Sequence, residues 1–277
     1  AAAAPRGALL AFEAGTARVA EWSAALAGPE RCAGFRAGDA ALGNRLAEIT
    51  AGPATSDATV SSLFALSRLL DRTPLLVRDA PGGCRARLLH AFLMEAVRLI
   101  EDGVTPDFIE HTALRFGFAE GPLAALDAIG LDRFRDQAVL FEKTLHARFA
   151  PPPFLARLIM EEGFLARAGR FGGRVRTELL RMVGIEVQQM PESVVEDRLV
   201  LALLLEAARC IEESVVASPE DLDLASVHGL GFPRARGGLF TWATTTGVAE
   251  IERRLAQMPD GDRARLAPPA FLRDLLA

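Results

Sequence analysis

The spacing of hydrophobic and polar positions changes at about residue 80, which divides the chain into two kinds of predicted structure. Before that point, short apolar runs such as Leu46–Ile49 and Thr73–Val77 are bounded by turn residues and are typical of strands. Between these two runs, Ser56 is a candidate N-cap for a helical pattern that continues to Leu70. A strand, a helix and a strand at this spacing predict a parallel α/β sheet. After Pro81, long helical patterns replace the strand signals.

Two segments in the helical part repeat each other. Arg87–Asp102 and Arg198–Glu213 carry similar charges at positions 111 apart (198 minus 87): Arg87 with Arg198, Glu95 with Glu206, Arg98 with Arg209, and Asp102 with Glu213. These positions fall on one helical stripe, and the rest of each helix is largely apolar. A helix start with proline just inside it and a Gly-Phe pair then recur in both copies: Thr105-Pro106 with Ser218-Pro219, and Gly117-Phe118 with Gly231-Phe232. The series predicts an internal repeat of two long, mostly buried helices.

Composition and charge exclude several classes of protein. The net charge of −5 and the pI near 5.5 argue against a nucleic-acid partner, which favours a basic face. The longest apolar run, Leu199–Leu205, is far shorter than the roughly 18 residues of a membrane span. Three cysteines without a CxxC pair predict reduced, buried thiols in a cytoplasmic protein rather than disulfides or a zinc site. The chain has neither a secretory signal nor a starting methionine, so we expect that it was cut from a longer polypeptide.

Two further features have an ordinary structural interpretation. The basic, glycine-rich stretch Arg167–Arg176 could contact a phosphate or CoA, but we favour a solvated loop. The four histidines (His90, His111, His146 and His228) have no neighbours at the spacing of a metal site or a catalytic triad. We therefore predict structural or surface roles for them and no metal centre.

Several spaced motifs, in the right order, resemble the 3-hydroxyacyl-CoA dehydrogenase family of fatty-acid β-oxidation. Thr55–Asp57, Thr73-Pro74 and Asp79–Gly82 are similar to the end of that family's NAD-binding domain. Gly121–Asp132 resembles the signature of its helical C-terminal domain, and the motif recurs loosely at Gly229–Gly238. A second helical repeat is typical of the multifunctional β-oxidation enzymes, alpha-subunit type, whose N-terminal half is an enoyl-CoA hydratase.

The resemblance implies a mainly α fold with a partial α/β portion. Residues 1–80 would be the second half of a truncated, Rossmann-like NAD-binding domain. Residues 81–190 would be the first helical repeat with a connecting segment, and residues 191–277 the second repeat. In single-repeat members the helical domain builds a dimer interface, so we expect the repeats at 87–134 and 197–251 to meet within this chain, about a pseudo-two-fold axis.

The catalytic positions that the resemblance implies are mostly altered. The family's general base is a histidine held by a carboxylate; here Arg36 stands at the histidine position, and Glu48 is the retained carboxylate. A guanidinium has no acceptor lone pair and cannot take a proton. The family's asparagine in the following motif falls at Ala86. For Glu48 we favour an exposed strand carboxylate or an inert ion pair with Arg36 over a catalytic role.

The cofactor motif is missing as well. No GxGxxG occurs in the 277 residues, and the nearest approach, Gly229-Leu230-Gly231, belongs to the second repeat. We predict that this chain alone binds no NAD, although NAD is the family's cofactor. The leading hypothesis is a catalytically degenerate dehydrogenase region that is retained for structure, acyl-CoA binding or partner binding. Two alternatives remain: an active enzyme completed by upstream residues or a partner chain, and a scaffold subunit that docks a thiolase or an enoyl-CoA hydratase.

Overall fold

The structure is a computed structural model, and it describes residues 5, 7–13, 18–38, 44–160, 179–258, 266–269, 272 and 274. The chain groups into two compact units. Unit 1 comprises residues 1–88, 207–245 and 270–277, and unit 2 comprises residues 89–206 and 246–269. Within the described ranges, no helix is long and apolar enough to cross a membrane.

A small mixed sheet lies in unit 1. Its strands follow chain order: β1 (Leu10–Phe12), β2 (Cys32–Ala37), β3 (Leu46–Ala51) and β4 (Thr73–Arg78). Strands β1 and β2 are parallel, as are β3 and β4, while β2 and β3 are antiparallel. The predicted strand–helix–strand unit is therefore confirmed for β3 and β4. Strand β3 reverses against β2 because only eight residues separate the two strands (38–45), too few for a crossover connection.

The helix between β3 and β4, α2 (Asp57–Leu69), covers one face of this sheet. The Ser56 hydroxyl accepts a hydrogen bond from the Thr59 backbone N–H at 3.3 Å, which confirms the predicted N-cap. On the sheet side of the helix, Leu63 is buried against Ala33 and Ile49. Side chains alternate along a strand, so the neighbours of Ala33 and Ile49 face the other side of the sheet.

The remaining helices divide between the units. Unit 1 also contains α1 (Val19–Ser23), α10 (Pro219–Leu224) and all but the last residue of α11 (Leu239–Thr246). Unit 2 contains α4 (Pro106–Phe116), α5 (Pro122–Ile129), α6 (Leu131–Thr144), α7 (Pro153–Met160), α8 (Leu179–Met182) and α12 (Val248–Ala256). Two long helices contribute residues to both units: α3 (Arg85–Glu101) and α9 (Glu192–Glu212). They confirm the two helices predicted at 87–102 and 198–213, whereas Arg167–Arg176 lies outside the described residues.

The long helices α3 and α9 end in the same way. Gly103 follows α3 at φ 89°, and Ser214, 111 positions later, follows α9 at φ 55°. In both turns the next N–H donates to a carbonyl five residues back: Val104 to Leu99 and Val215 to Cys210, at 2.9 and 2.7 Å. Such a 6→1 bond closes a Schellman motif, which needs a left-handed residue. The recurrence extends to backbone geometry that the charge pattern alone does not specify.

Each of these turns leads to a helix pair with a carboxylate cap. The Glu110 carboxylate accepts from the Ala124 N–H at the start of α5 at 2.6 Å, and that of Asp223 accepts from the Phe240 N–H of α11 at 2.6 Å. The glycine before each capped helix leaves room for the carboxylate, because a Cβ at Gly121 would overlap Glu110, and one at Gly238 would overlap Asp223. The capping arrangement is the same in both places.

The charged residues along α3 and α9 form ion pairs in which the arginine of each helix binds a carboxylate at the end of the other. In unit 1 the Arg87 Nη1 donates to Glu213 Oε2 at 2.7 Å, and in unit 2 the Arg198 Nη1 donates to Asp102 Oδ2. The two pairs exchange equivalent positions, since Arg87 matches Arg198 and Asp102 matches Glu213. Both arginine side chains are fully buried, and Arg198 also donates to the buried Glu95 at 2.6 Å. A buried guanidinium needs such partners because desolvation alone would cost several kcal/mol.

An aromatic cluster in unit 2 encloses a histidine. His90 is 1% exposed and stacks on the Phe134 ring at a centroid distance of 4.7 Å. Phe141 and Phe149 lie beside it at 5.4 and 5.6 Å. Burial, with the positive charge of Arg98 as a further cause, lowers the His90 pKa from 6.5 to about 3. The predicted structural role of this histidine agrees with its packing as a neutral ring.

Candidate functional site

Arg36 and Glu48 lie directly opposite each other in the sheet of unit 1. They are register partners in the antiparallel pair of β2 and β3, so their side chains leave the same face. This face is the one opposite α2, because Ala33 and Ile49 occupy the alternate positions.

The Glu48 carboxylate caps the start of α3. It is only 4% exposed, and its Oε1 accepts hydrogen bonds from the N–H groups of Cys84 at 3.0 Å and Arg85 at 2.7 Å. The preceding Gly83 has φ 62°, and a Cβ there would stand 3.4 Å from the carboxylate. The predicted exposed carboxylate is therefore wrong: Glu48 is buried because it satisfies amides that the first helical turn leaves without partners.

Two effects compete in the ionisation of Glu48. Burial raises the pKa of its carboxyl above the ordinary value, since charge is less stable away from water. The N–H of Arg85 and the positive charge of Arg36 oppose this shift. Because two backbone amides donate to its Oε1, Glu48 acts mainly as a helix cap. That oxygen is therefore already hydrogen-bonded on the side chain that faces the opposite residue on β2.

Arg36 occupies the position where the resemblance places a histidine. Its side chain is partly buried, and its Nε lies 3.6 Å from Oε1 of the exposed Glu13. Among the described residues, no ion pair joins Arg36 to Glu48. At the position of the family's asparagine, the Ala86 methyl is buried and offers no polar group.

Arg85 is a second guanidinium at this site, and the sequence reasoning did not single it out. Its Nε donates to the Gly229 carbonyl at 2.7 Å, and its backbone N–H donates to the Glu48 carboxylate. Burial lowers the pKa of Arg85, and the neighbouring Arg36 also lowers it, while Glu48 raises it. The signal that could have found Arg85 is its position in the sequence, two residues before the retained Arg87 and at the start of the predicted helix.

The described starts of α1 and α2 do not fit the pyrophosphate of a dinucleotide, which binds N–H groups at the start of a helix. At α1 the first amides, of Val19 and Ala20, donate to the two oxygens of Asp79 at 2.7 and 2.8 Å. At α2 the Ser56 side chain is the cap. The Asp79 carboxylate occupies the place that a phosphate would take at α1, and its negative charge would repel the phosphate. Across the described part of the chain, no group of three or more His, Cys, Asp or Glu residues could hold a metal.

Comparison with known proteins shows to which family this chain is similar. The profile for "3-hydroxyacyl-CoA dehydrogenase, C-terminal domain" matches residues 84–173. The chain is similar to "Fatty acid oxidation complex subunit alpha" of Shewanella amazonensis, with 31% identity over 243 residues, 84% of this chain and 34% of the relative. The same protein of Idiomarina loihiensis is 30% identical over 241 residues, with coverage of 83% and 34%. The chain thus spans about a third of the length of the curated relatives it matches.

Solved structures show the same fold at low sequence identity. The 3-hydroxybutyryl-CoA dehydrogenase of Escherichia coli superposes with a TM-score of 0.76 at 19% identity, covering 98% of this chain and 75% of that one. The dehydrogenase part of multifunctional enzyme 1 from C. elegans gives a TM-score of 0.64 at 19% identity, covering 98% and 65%. With its helical C-terminal match and its partial α/β portion, the chain belongs to the 3-hydroxyacyl-CoA dehydrogenase family.

Proposed function

We propose that this chain is a catalytically degenerate 3-hydroxyacyl-CoA dehydrogenase region, retained for its architecture and for binding. The observation that carries the proposal is the pair of opposite positions on β2 and β3. There, Glu48 is kept as a helix cap and Arg36 replaces the titratable ring. A region that keeps its scaffold while losing its base has a structural or binding role.

The proton chemistry supports this proposal. Oxidation of a 3-hydroxyacyl thioester needs a base for the hydroxyl proton while the hydride leaves to NAD. The Arg36 guanidinium has no acceptor lone pair and cannot serve. Glu48 is buried and bound to two amides, and Ala86 adds no polar group to polarise the substrate. These residues cannot carry the family's acid–base step.

We further propose that NAD does not bind to this chain by itself. Its described strand-to-helix turns are capped by its own side chains, Asp79 and Ser56. Since the chain spans a third of its relatives, a nucleotide-binding half elsewhere in the encoded protein would restore the cofactor site. An enzyme completed in this way, or by a partner chain, is the competing hypothesis.

We also propose the division into residues 1–80, 81–190 and 191–277, with the last two as tandem repeats. The support is local: the exchanged ion pairs Arg87–Glu213 and Arg198–Asp102, the matching turns after α3 and α9, and the two carboxylate caps. Two repeats that contact each other within one chain would provide the buried interface that a dimer provides elsewhere.

A role in assembly follows from the relatives' name. Those relatives are alpha subunits of a fatty acid oxidation complex, and we propose that the protein containing this chain takes part in fatty-acid oxidation by binding acyl-CoA or by docking a thiolase or enoyl-CoA hydratase. Affinity purification of the tagged, complete protein from its own cells tests the docking. Recovery of such an enzyme in fixed proportion supports it, and recovery of the protein alone contradicts it.

The test of degeneracy is NADH oxidation with acetoacetyl-CoA, followed by the loss of absorbance at 340 nm. The complete encoded protein is the sample, and a family member with the histidine is the positive control under identical conditions. We expect no turnover above the rate without enzyme. Turnover comparable to that of the control would favour the completed-enzyme hypothesis.

A further inference from the structure

Two of the three cysteines are neighbours in unit 1, although they are 126 positions apart in the chain (210 minus 84). Cys84 directly precedes α3, and Cys210 lies in the last turn of α9. Both are fully buried free thiols, and a hydrogen bond joins their side chains. We propose that Cys84 and Cys210 are a reversible oxidation site, at which hydrogen peroxide forms a disulfide that ties the start of α3 to the end of α9. The site is independent of the degenerate role proposed above.

Contacts on either side of the pair hold the two chain segments together. The Arg78 N–H, at the end of β4, donates to the Val215 carbonyl just after α9 at 2.9 Å. Farther along, the Arg87 guanidinium of α3 donates to the Glu213 carboxylate at 2.7 Å. In each segment, both contacts lie within six residues of the cysteine. The fold therefore keeps the two thiols adjacent, which makes their reaction with each other effectively unimolecular.

The backbone of each cysteine is also fixed. The Cys84 N–H donates to Glu48 Oε1 at 3.0 Å, and the Cys84 carbonyl accepts from the Leu88 N–H at 3.1 Å. The Cys210 carbonyl accepts from the Val215 N–H at 2.7 Å in the turn that ends α9. A disulfide would thus join the capped start of one long helix to the end of the other by a covalent bond.

Burial and charge favour a disulfide over a metal thiolate at this place. The hydrogen bond to Cys210, burial and the negative charge of Glu48 all raise the pKa of the Cys84 thiol well above its ordinary value. A monovalent metal ion held by two thiolates would leave a net negative charge here, which burial disfavours. A divalent ion needs more ligands, and the described residues contain no group of three or more that could hold one. A disulfide is neutral and suits apolar surroundings.

The oxidation balances with one molecule of hydrogen peroxide. The thiolate of one cysteine attacks a peroxide oxygen, the O–O bond breaks, and a sulfenic acid and one water form. The second thiol attacks the sulfenic sulfur, the S–S bond forms, and the sulfenic hydroxyl leaves as a second water after it takes up a proton. Two thiols are oxidised and one peroxide is reduced to two waters. A dithiol reductant reverses the reaction by thiol–disulfide exchange.

The rate of the first step follows from the surroundings of the thiols. The reacting species is the thiolate, and the raised pKa of Cys84 keeps that thiol protonated at neutral pH. Burial also limits the approach of peroxide to both residues. We therefore expect a slow site that responds to sustained oxidation, in contrast to an exposed thiol of low pKa.

Mass spectrometry of the intact chain after peroxide treatment tests the proposal. The folded, reduced protein is incubated with hydrogen peroxide, treated with catalase, alkylated with N-ethylmaleimide in urea and digested with trypsin without reductant. The bridge joins the tryptic peptides 79–85 and 210–234, whereas Cys32 is released in the peptide 32–36. We expect the joined species, lighter than its two peptides by the hydrogens that the thiols lose, and we expect dithiothreitol to remove it.

The third cysteine provides a matched control. Cys32 is equally buried in unit 1, and its thiol donates to the Gly28 carbonyl at 3.6 Å. Cys32→Ala should form the bridge as the parent does, and Cys84→Ala and Cys210→Ala should not. Oxidation should raise the Tm of the parent and of Cys32→Ala by about 5 °C or more, because the bridge closes a long loop in the unfolded chain. It should leave the Tm of Cys84→Ala unchanged.

The result on the parent alone decides the proposal, even where an alanine variant does not fold. The proposal is overturned if the folded parent keeps all three thiols after prolonged oxidation, or if its disulfide contains Cys32. It is equally overturned if the bridge between Cys84 and Cys210 forms in urea but not in the folded chain, because the fold would then not bring the two thiols together.

Discussion

The enclosed ring of His90 makes the stability of the fold sensitive to acid. In the folded protein its pKa is about 3, while in the unfolded chain it is close to 6.5. Below pH 6.5 the unfolded chain takes up a proton that the folded protein does not, so stability is lost as the pH falls. Above pH 6.5 both states are neutral at this residue and the effect vanishes.

The magnitude depends mainly on the unfolded state. As long as the folded pKa lies well below 5, protonation of the unfolded histidine at pH 5 costs about 2 kcal/mol relative to pH 8. It is a large fraction of the stability of an ordinary domain.

Urea unfolding of the parent and of His90→Leu at pH 5 and pH 8 measures this cost. The parent curve alone does not suffice, because the buried Glu110, with a pKa raised to about 7, changes stability in the opposite direction over the same range. The difference between parent and variant isolates the histidine. Leucine fills the cage of Phe134, Phe141 and Phe149 without a titrating group.

We expect His90→Leu to gain about 2 kcal/mol on the parent when the pH is lowered from 8 to 5. The control His111→Leu, at an exposed position of α4, should keep the pH dependence of the parent. If parent and His90→Leu respond equally to pH, the neutral, buried ring is the wrong description of this cluster.

Three further variants test other parts of the structure. Glu48→Ala should lower the free energy of unfolding by on the order of 1–2 kcal/mol, because α3 loses its cap. Glu48→Gln keeps an acceptor and should lose less stability. Equal losses in the two variants would contradict the capping role. Arg198→Met should cost about 3–5 kcal/mol because it removes the guanidinium that donates to the buried Glu95, and adding Glu95→Leu should recover much of it. No recovery in that double variant would refute the pairing. Relative to Glu110→Gln, the parent should lose stability from pH 5 to pH 8 as Glu110 ionises, since its folded pKa exceeds the unfolded one; an equal pH response of the two proteins in the same urea series would contradict this.

Local signals predicted much of the secondary structure. The Ser56 cap, the prolines after Thr105 and Ser218, and the apolar run of β4 bounded by turn residues each depend on residues within a few positions, and the structure agrees with them. The charged positions matched between α3 and α9 also include the residues that form ion pairs, although the sequence did not say which of them pair. Patterns of this kind follow from helix and strand geometry alone.

The environment of Glu48 could not be predicted in the same way. Its partners, the amides of Cys84 and Arg85, are 36 and 37 positions away, and they reach it only because the chain after β4 returns across the sheet. The sequence showed a carboxylate and a guanidinium. It did not show that two helix amides would donate hydrogen bonds to the carboxylate. Arg85 was overlooked because an isolated arginine at a helix start looks like a surface residue.

The most direct test of catalytic degeneracy compares NADH oxidation by the complete protein with that of its Glu48→Gln variant, with acetoacetyl-CoA as substrate. If Arg36 has replaced the base and Glu48 acts only as a cap, neither protein turns over substrate above background. Turnover in the parent that Glu48→Gln reduces by a hundredfold or so, the scale of a lost acid–base contribution, would contradict the account.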